Sequence, residues 1–277
     1  SSFSRSGLPT VALIVDLLHR DLPSALPIEE VNFREDTIKR VIGSATWLQS
    51  ISQHGIDRVG AHYGVHPSRC FYTYIPAHER LTRAPANEAS PAPAPYFFYP
   101  ANFWPHKNHE VLLTAYRLYR HAVGDAAWPL VLTGHPDTRM QALQSLADAL
   151  GLAESVQFRG HVPNAEFAAL WQNAGAMVFP SLHEGFGIPL VEAFHHGIPV
   201  LAAKVSALPE IGGDACAWFD PADPRTLAGL LEDLSQNATR RTDLVAAGRA
   251  QLQRFSLHFE ASRLAHFLHA AARNLVP

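Results

Sequence analysis

The sequence predicts an α/β protein with a doubly wound parallel sheet, because short apolar runs alternate with helical patterns from residue 96 onward. The predicted strands cover residues 96–99, 130–133, 155–159, 176–179, 198–202 and 217–219. The predicted helices cover residues 108–122, 137–150, 164–174, 189–196, 225–235 and 257–274. The ligand of such a sheet lies beyond the carboxyl ends of its strands, so the loops that follow the strands are where a site is expected.

Local signals support individual helices. Apolar residues recur at three- to four-residue spacing across residues 140–150, and Gly151 stands where a left-handed residue ends a helix. Asn164 is the predicted N-cap of the following helix. Apolar residues also repeat across residues 259–268, which predicts that one face of the last helix packs on another part of the protein.

A second, smaller α/β layer precedes the main sheet. Its predicted strands cover residues 10–15, 42–46 and 71–75, and its predicted helices cover 28–41 and 48–55. A stretch of proline and alanine without periodicity follows at 84–95, which is typical of a semi-rigid linker. The predicted division is a partial N-terminal domain at 1–83, this linker, a ligand-binding domain at 96–255 and a C-terminal helical segment at 256–277.

Composition excludes several function classes. The chain has 277 residues, a formal net charge of -3 and 47% hydrophobic residues, which is typical of a globular protein with no electrostatic preference for nucleic acid. No apolar run is long enough to cross a bilayer, and the N-terminus lacks a secretory pattern. The two distant cysteines, Cys70 and Cys216, favour reduced thiols. The expected location is therefore the cytoplasm, with a peripheral contact to the inner membrane face left open.

The most informative segment follows the fourth strand of the main sheet. It places two carboxylates, Glu184 and Glu192, across a glycine-containing turn that leads into a helix. Gly185 and Gly187 allow the backbone to approach a ligand where a Cβ would obstruct it. Pro189 fits the first helical position, because it has no N–H to lose there and its φ is already helical.

The start of this helix is a predicted anion site. The unpaired amides around Ile188, Leu190 and Val191 lie at the positive end of the helix dipole, which favours a phosphate. Glu184 at the lip of the turn and Glu192 one turn into the helix are acceptors only, which suits the hydroxyl groups of a hexose and a ribose. The segment therefore predicts a site for a sugar nucleotide.

Two glutamates with seven residues between them, including Gly-Phe-Gly and Pro, resemble the signature of retaining glycosyltransferases of family 4, which have the GT-B fold. Further segments resemble that family in the same order, at 99–109, 132–134, 197–203, 207–214 and 219–221. The resemblance implies a Rossmann-like donor-binding domain, a partial acceptor domain before it and a final helix that crosses back to the first domain. It also implies transfer of a hexose from a nucleoside diphosphate sugar to a saccharide or glycolipid, without a metal or another cofactor.

The resemblance also assigns roles to individual residues. The donor sugar is expected at Glu184, Gly185, Phe186 and Gly187, and the ribose at Glu192. The diphosphate is expected at Asn102, Lys107, Gly134, Ile188 and Leu190. The base is expected at the backbone of His161 and Val162.

The first domain departs from the family pattern. Relatives often have a histidine before the aspartate at the end of the first strand, where this chain has Val15. Asp16 and His19 remain as catalytic candidates beside Lys107 and Glu184. The family's usual diphosphate arginine is replaced by Ala101-Asn102, and its opening strands have no counterpart, as expected for a fragment of a longer polypeptide or a reduced acceptor domain.

Alternatives remain open at the level of sequence. The chain is expected to be a glycosyltransferase whose partners are a nucleoside diphosphate sugar and a saccharide or lipid-linked acceptor. A non-catalytic sugar-nucleotide-binding or scaffold domain of a larger polypeptide is the second hypothesis, and a related epimerase or phosphorylase is the third. No histidine pair has the His-Glu-x-x-His spacing of a helical zinc site, so the sequence predicts no metal site.

Overall fold

The computed structural model describes residues 9–76 and 95–273. Residues 9–76, called the N-terminal unit below, contain three parallel strands in the order β1-β2-β3. These are β1 (Val11–Ile14), β2 (Trp47–Ser50) and β3 (Cys70–Tyr72), accompanied by α1 (Leu18–Asp21), α2 (Ile28–Ser44) and α3 (Gln53–Tyr63). Nearly all of the predicted linker at 84–95 lies outside the described residues, so the domain boundaries stay a prediction.

Residues 95–273 contain a second sheet of six parallel strands in the order β6-β5-β4-β7-β8-β9. Its strands are β4 (Phe97–Pro100), β5 (Leu130–Thr133), β6 (Val156–Gly160), β7 (Ala176–Phe179), β8 (Val200–Ala203) and β9 (Cys216–Phe219). Its helices are α4 (His109–Val123), α5 (Thr138–Ala149), α6 (Asn164–Asn173), α7 (Ile188–His196), α8 (Leu208–Gly212), α9 (Pro224–Gln236), α10 (Ala238–Leu252) and α11 (Leu257–Ala272). The predicted doubly wound parallel sheet is confirmed.

The inner strands of the second sheet are buried on both faces, which explains their continuous apolar sequences, whereas the edge strand β6 has the exposed residues Gln157 and Arg159. All residues of β5, β7 and β8 are buried, and Phe97, Phe98 and Tyr99 of the central strand β4 are fully enclosed. A half-exposed strand would instead alternate apolar and polar residues. This pattern made the strands of the second sheet recognisable in the sequence.

Two predictions for the N-terminal unit are wrong. The predicted strand at 42–46 is mostly helix, because residues 42–44 complete α2, and Ile38, Val41 and Ile42 face the core at helical spacing. The predicted helix at 48–55 is occupied by β2 and the first residues of α3. The β-branched pair at 41–42 favours a strand locally, but pairing of β2 with β1 on one side and β3 on the other decides which residues enter the sheet.

Details of the second unit also differ from the predictions. Gly151 has a φ of 69° just after α5, so the left-handed helix end is confirmed. The N-cap of α6 is Pro163 and not Asn164, which is already helical and makes no capping bond. The helix α10 has no predicted counterpart, because it buries only Leu244 and Gly248 and therefore has little helical periodicity.

The last helix, α11, lies against the first sheet. The Glu260 carboxylate accepts a hydrogen bond from the backbone N–H of Tyr74 at 2.9 Å, and Arg263 donates to the carbonyl of Tyr72 at 3.0 Å. One turn further on, the ring of Phe267 stacks on Phe71 with 4.4 Å between centroids. Positions 260, 263 and 267 share one helix face, so one stripe of α11 makes all of these contacts.

A joint connects the N-terminal unit to the second sheet. Ser52 donates from its hydroxyl to the Gly185 carbonyl at 2.8 Å. The Glu210 carboxylate accepts from the N–H groups of Gln53 and His54 at 2.7 and 2.8 Å. These are the first amides of α3, which have no partner within the helix and carry its positive dipole end. The carboxylate of one unit thus caps a helix of the other.

Replacing Glu35 with glutamine should destabilise the N-terminal unit in a pH-dependent way. Burial alone would raise the pKa of Glu35, but hydrogen bonds from Lys39 and Tyr63 and the charge of Arg20 lower this pKa to about 2. The carboxylate therefore stabilises the fold above the unfolded-state pKa of 4.5, and this contribution is lost as pH falls toward 2. Urea unfolding should show that the free energy of unfolding falls by about 1 kcal/mol at pH 7, which is the contribution of a strong, partly exposed ion pair.

The matched control for this prediction is Glu154→Gln, on an exposed turn. It should leave the free energy of unfolding unchanged at both pH values. A Glu35→Gln deficit that is as large at pH 3 as at pH 7 would contradict the assignment of the pKa shift to the ion pairs.

Candidate active site

The turn after β4 fixes the position of Lys107. Asn108 adopts the left-handed conformation with φ 59°, which asparagine tolerates better than most residues. Its side-chain amide donates to the carbonyls of Pro180 and Pro221 at 3.1 and 2.9 Å. The buried Tyr99 donates its hydroxyl to the Lys107 carbonyl at 2.9 Å. The lysine backbone is therefore attached to its own strand and to the loop after β7.

The loop between β7 and α7 fixes Glu184. Its N–H donates to the Ser206 hydroxyl at 2.9 Å. Gly187 has a φ of 104°, and a Cβ there would lie 2.6 Å from the Leu208 side chain. Phe186 is buried, with its ring 6.0 Å from Tyr74 and 5.7 Å from Phe255. The Phe186 side chain is therefore a packing residue, and only its backbone remains for a ligand.

The two turns bring Lys107 and Glu184 into contact. The lysine ammonium lies 2.5 Å from a carboxylate oxygen of Glu184, and both side chains are only 14% exposed. The two residues follow β4 and β7, the neighbouring central strands at which the strand order reverses direction. Open parallel sheets bind ligands in the crevice at this point. Two residues predicted for the same ligand thus lie together at the expected end of the sheet.

Glu192 lies one turn into α7 and is partly buried. Burial raises the pKa of its carboxyl group, because removal from water disfavours the charged form. A buried carboxylate that has no structural advantage in the unliganded fold is a candidate binding group.

The start of α7 differs from the prediction. The N–H of Leu190 donates to the Gly187 carbonyl at 2.9 Å, so this amide would have to exchange that bond to reach a phosphate, and its phosphate role stays a prediction. Pro189 is the second helical residue, since α7 begins at Ile188.

A cavity of about 400 Å³ lies at the carboxyl ends of β4, β5 and β6. Its lining includes Asn102, Gly134, His161 and Val162, which the sequence analysis assigned to phosphate and base. A Cβ at Gly134 would lie 2.4 Å from the carbonyl oxygen of Ala101, so only glycine fits there. The side-chain oxygen of Asn102 accepts a hydrogen bond from the N–H of His135 at 2.8 Å, which links the loops after β4 and β5.

The N-terminal unit brings one of its two catalytic candidates to the cleft. A Cβ at Gly185 would lie 2.3 Å from the Val15 carbonyl oxygen and 3.1 Å from Cβ of Asp16, so Asp16 borders the glutamate loop. His19 is 2% exposed and its Nε2 lies 3.1 Å from the Tyr63 hydroxyl and 3.3 Å from Glu35. Its contacts belong to the helices of the N-terminal unit, and the structure does not bring His19 to the Lys107–Glu184 pair.

His106 was assigned no role from the sequence. His106 is 8% exposed, and its carbonyl accepts from the N–H of Leu182 at 2.7 Å, which ties the lysine turn to the glutamate loop. Burial and the neighbouring Lys107 charge lower the pKa of His106 to about 4. A neutral imidazole therefore lies beside the ion pair at neutral pH.

One family model matches most of this chain. The model described as glycosyl transferases group 1 matches residues 82–251, which is more than half of the chain. The chain belongs to this family. The resemblance seen in the glutamate and lysine motifs is thereby confirmed.

Curated relatives cover most of this chain. O-antigen chain mannosyltransferase B of Escherichia coli is 28% identical over 242 residues, which are 84% of this chain and 63% of the relative. D-inositol 3-phosphate glycosyltransferase of Streptomyces avermitilis is 28% identical over 248 residues, which are 84% of this chain and 53% of the relative. The chain thus spans between about half and just under two thirds of the length of these relatives.

Solved structures show the same fold. HepE of Anabaena in complex with UDP-glucose has a TM-score of 0.78 at 18% identity, over 95% of this chain and 72% of that one. WaaG, a glycosyltransferase involved in lipopolysaccharide biosynthesis, has a TM-score of 0.73 at 16% identity, over 93% and 75%. The predicted GT-B fold is confirmed. In residues 9–76 and 95–273, no helix has the length and apolar character needed to cross a bilayer.

Alanine at Gly185 should disrupt the joint. Its Cβ would overlap the Val15 carbonyl, so the N-terminal unit would have to move away from the glutamate loop. Overpacking of this kind costs about 1–3 kcal/mol, measurable by urea unfolding. Gly229→Ala in the middle of α9 is the control, since a Cβ there meets open space and the change should stabilise the helix by up to ~1 kcal/mol. Equal effects of the two variants would show that Val15 and Gly185 do not restrain each other.

Proposed function

We propose that this chain binds a nucleoside diphosphate sugar in the cleft between its two units and transfers the hexose to a saccharide or lipid-linked saccharide. The observation that supports this most directly is the Lys107–Glu184 ion pair at the reversal of strand order, at the same end of the sheet as a cavity of about 400 Å³. A cation, an acceptor for hydroxyl groups and a cavity at the same end of the sheet match the diphosphate, the sugar and the base of one ligand.

In the proposed complex the base occupies the cavity against His161 and Val162, near Gly134 and Asn102. The diphosphate reaches Lys107, and the ribose hydroxyls bond to Glu192. The donor sugar lies against the backbone of Gly185 to Gly187. Glu184 exchanges its bond to Lys107 for bonds to sugar hydroxyls, so that one ion pair is replaced by two ligand contacts.

The proposed chemistry is electrostatic. As the bond from the anomeric carbon to the diphosphate breaks, negative charge develops on the leaving phosphate, and Lys107 stabilises it without a divalent cation. The configuration at the anomeric carbon is retained, as the family resemblance implies. Asp16, at the N-terminal wall of the cleft, faces the reacting sugar.

The relatives guide the choice of donor and acceptor. One relative is named as a mannosyltransferase of the O-antigen chain, and one structural neighbour was solved with UDP-glucose. GDP-mannose and UDP-glucose are therefore the first donors to test, with oligosaccharide acceptors. We place the reaction in the cytoplasm, where a lipid-linked acceptor would be reached at the inner membrane face.

The test begins with a thermal-shift screen of nucleoside diphosphates and their sugars. A ligand at 100 times its Kd stabilises the folded chain by about 2.7 kcal/mol. Glu184→Ala should then lower affinity for the preferred sugar nucleotide while leaving affinity for the bare nucleoside diphosphate nearly unchanged. No stabilisation by any ligand of the screen would refute donor binding, and equal losses for both ligands would refute the sugar role of Glu184.

A non-catalytic binding domain is the second candidate, favoured by one observation. Val15 stands where relatives often carry a histidine, and its side chain is about half exposed at the cleft. A transfer assay separates the two candidates once a donor is known. Turnover that is lost in Lys107→Ala supports the enzyme, whereas donor binding without transfer to any acceptor tested supports the binding domain.

A further inference from the structure

Three residues that are distant in sequence meet at the joint between the two units. Asp21 ends α1, His54 lies in the first turn of α3, and His183 precedes Glu184 in the loop after β7. One oxygen or nitrogen atom of each lies within 4.8 Å of the others. We call these residues the joint cluster. Two histidines and a carboxylate form a ligand set that is common for zinc.

Each histidine of the joint cluster is placed as a ligand would be. His183 is 6% exposed, and its Nε2 lies 3.0 Å from an oxygen of Asp21. Nε2 of His54 is buried and has no hydrogen-bond partner within the described part of the chain. A buried polar nitrogen without a partner costs free energy, which a bound ion would remove.

The charged neighbours of the joint cluster contact Oδ1 of Asp21 and leave its other oxygen, Oδ2, for a ligand. Arg58 donates to Oδ1 of Asp21 at 2.8 Å from its Nε, and Nε2 of His62 lies 2.7 Å from the same oxygen. Oδ2 faces His183. Arg58 carries a positive charge that opposes a cation, and Glu210, at the N-terminus of α3, carries a negative charge that favours one. Arg58 also orients the carboxylate, which is the usual task of a residue outside the ligand shell.

We propose that the joint cluster binds one Zn²⁺ ion, which clamps the N-terminal unit to the loop that carries Glu184. Zinc bonds of about 2.0–2.1 Å at tetrahedral angles place ligand atoms roughly 3.4 Å apart. The contact of 3.0 Å between Asp21 and His183 is already close to this value, and the widest separation in the cluster, at most 4.8 Å, has to shorten. A water molecule completes the four ligands. The ion is structural and takes no part in the bond exchange at the sugar.

The inference is tested by direct metal binding. The chain is stripped with a chelator, dialysed and titrated with Zn²⁺ in a calorimeter, and bound zinc is counted by elemental analysis. We expect one ion per chain and a higher melting temperature with zinc. His54→Gln and Asp21→Asn should each lower the affinity by at least the roughly 10–100-fold that changes outside the ligand shell cause. Mg²⁺ should give no heat, because it prefers oxygen ligands.

His121→Gln, on the exposed outer face of α4, is the matched control and should bind zinc as the unaltered chain does. Circular dichroism of the metal-free variants shows whether each one folds. His183→Gln gives a second variant if one of the others does not. Zinc binding that is equal in the cluster variants and the control, or no binding near one ion per chain, would overturn the proposal. Neither result depends on sugar-nucleotide binding, so this test and the test of the proposed function fail separately.

Discussion

Lys107→Ala should weaken nucleoside diphosphate binding by roughly 10–150-fold, which corresponds to the ~1.5–3 kcal/mol of a hydrogen bond to a charged group. The lysine is only 14% exposed and is held by its turn, so little ordering is needed when the diphosphate arrives. The free nucleoside, which has no phosphate, should bind the variant and the unaltered chain alike. Isothermal titration with both ligands measures the difference.

The ion pair complicates this variant, because alanine at position 107 leaves the Glu184 carboxylate unpaired beside the diphosphate. The double variant Lys107→Ala/Glu184→Gln removes both charges and completes a double-mutant cycle. Lys39→Ala, at an exposed position in α2, controls for the loss of one positive charge from the whole protein. If Lys107→Ala weakens the nucleoside and the diphosphate by the same factor, Lys107 is a structural residue.

Glu192→Gln should stabilise the unliganded chain and weaken its binding of nucleotide. Burial raises the pKa of Glu192 in the folded state, so the charged form is disfavoured by folding. Protonation of Glu192 therefore favours the folded state. This stabilisation is fully present below the unfolded-state pKa of 4.5 and is lost as the pH rises through the folded-state pKa. Glutamine has no charge to bury, so the variant should melt above the unaltered chain at pH 7.5 and show little difference at pH 4.5.

The effect of Glu192→Gln on nucleotide affinity should be opposite to its effect on stability. A charged acceptor contributes more than a neutral one, so glutamine should lower affinity for a nucleoside diphosphate by about 5–10-fold. The exposed Glu154→Gln variant should change neither property. Gains in stability are common where a binding site is strained, and they come with lost function. A Glu192→Gln variant that melts lower and binds normally would show that the carboxylate is a structural group.

The order of elements in the second sheet was readable from the sequence. Its inner strands are buried on both faces, so each is an apolar run, and the helices between them have a buried face. The turn from Glu184 into the helix with Glu192 was also recognisable, because Gly187 has a backbone conformation that side chains rarely adopt. Burial of a strand and the conformation of a turn each depend on a few consecutive residues, so both can be recognised in the sequence.

The structure differs from the expected arrangement where local patterns were ambiguous. The β-branched residues near Ile42 fit a strand as well as a helix, and only packing on the core selects the helix. The N–H of Leu190 is free in a generic helix start, but the left-handed turn at Gly187 brings a carbonyl within 2.9 Å of it. His19 follows a predicted strand end, yet Tyr63 and Glu35 hold it inside the N-terminal unit.

The sequence by itself determined the fold class, the family motifs and the residue types available to a sugar nucleotide. The tertiary structure alone decided which of these residues meet. Lys107 and Glu184 are 77 positions apart and form an ion pair, while Asp21 lies 162 positions from His183 and is bonded to it. Contacts of this range depend on how two sheets and their connecting helices pack together. The spacing of apolar side chains indicates which face of one helix or strand is buried. It does not indicate which residue of another element that face contacts.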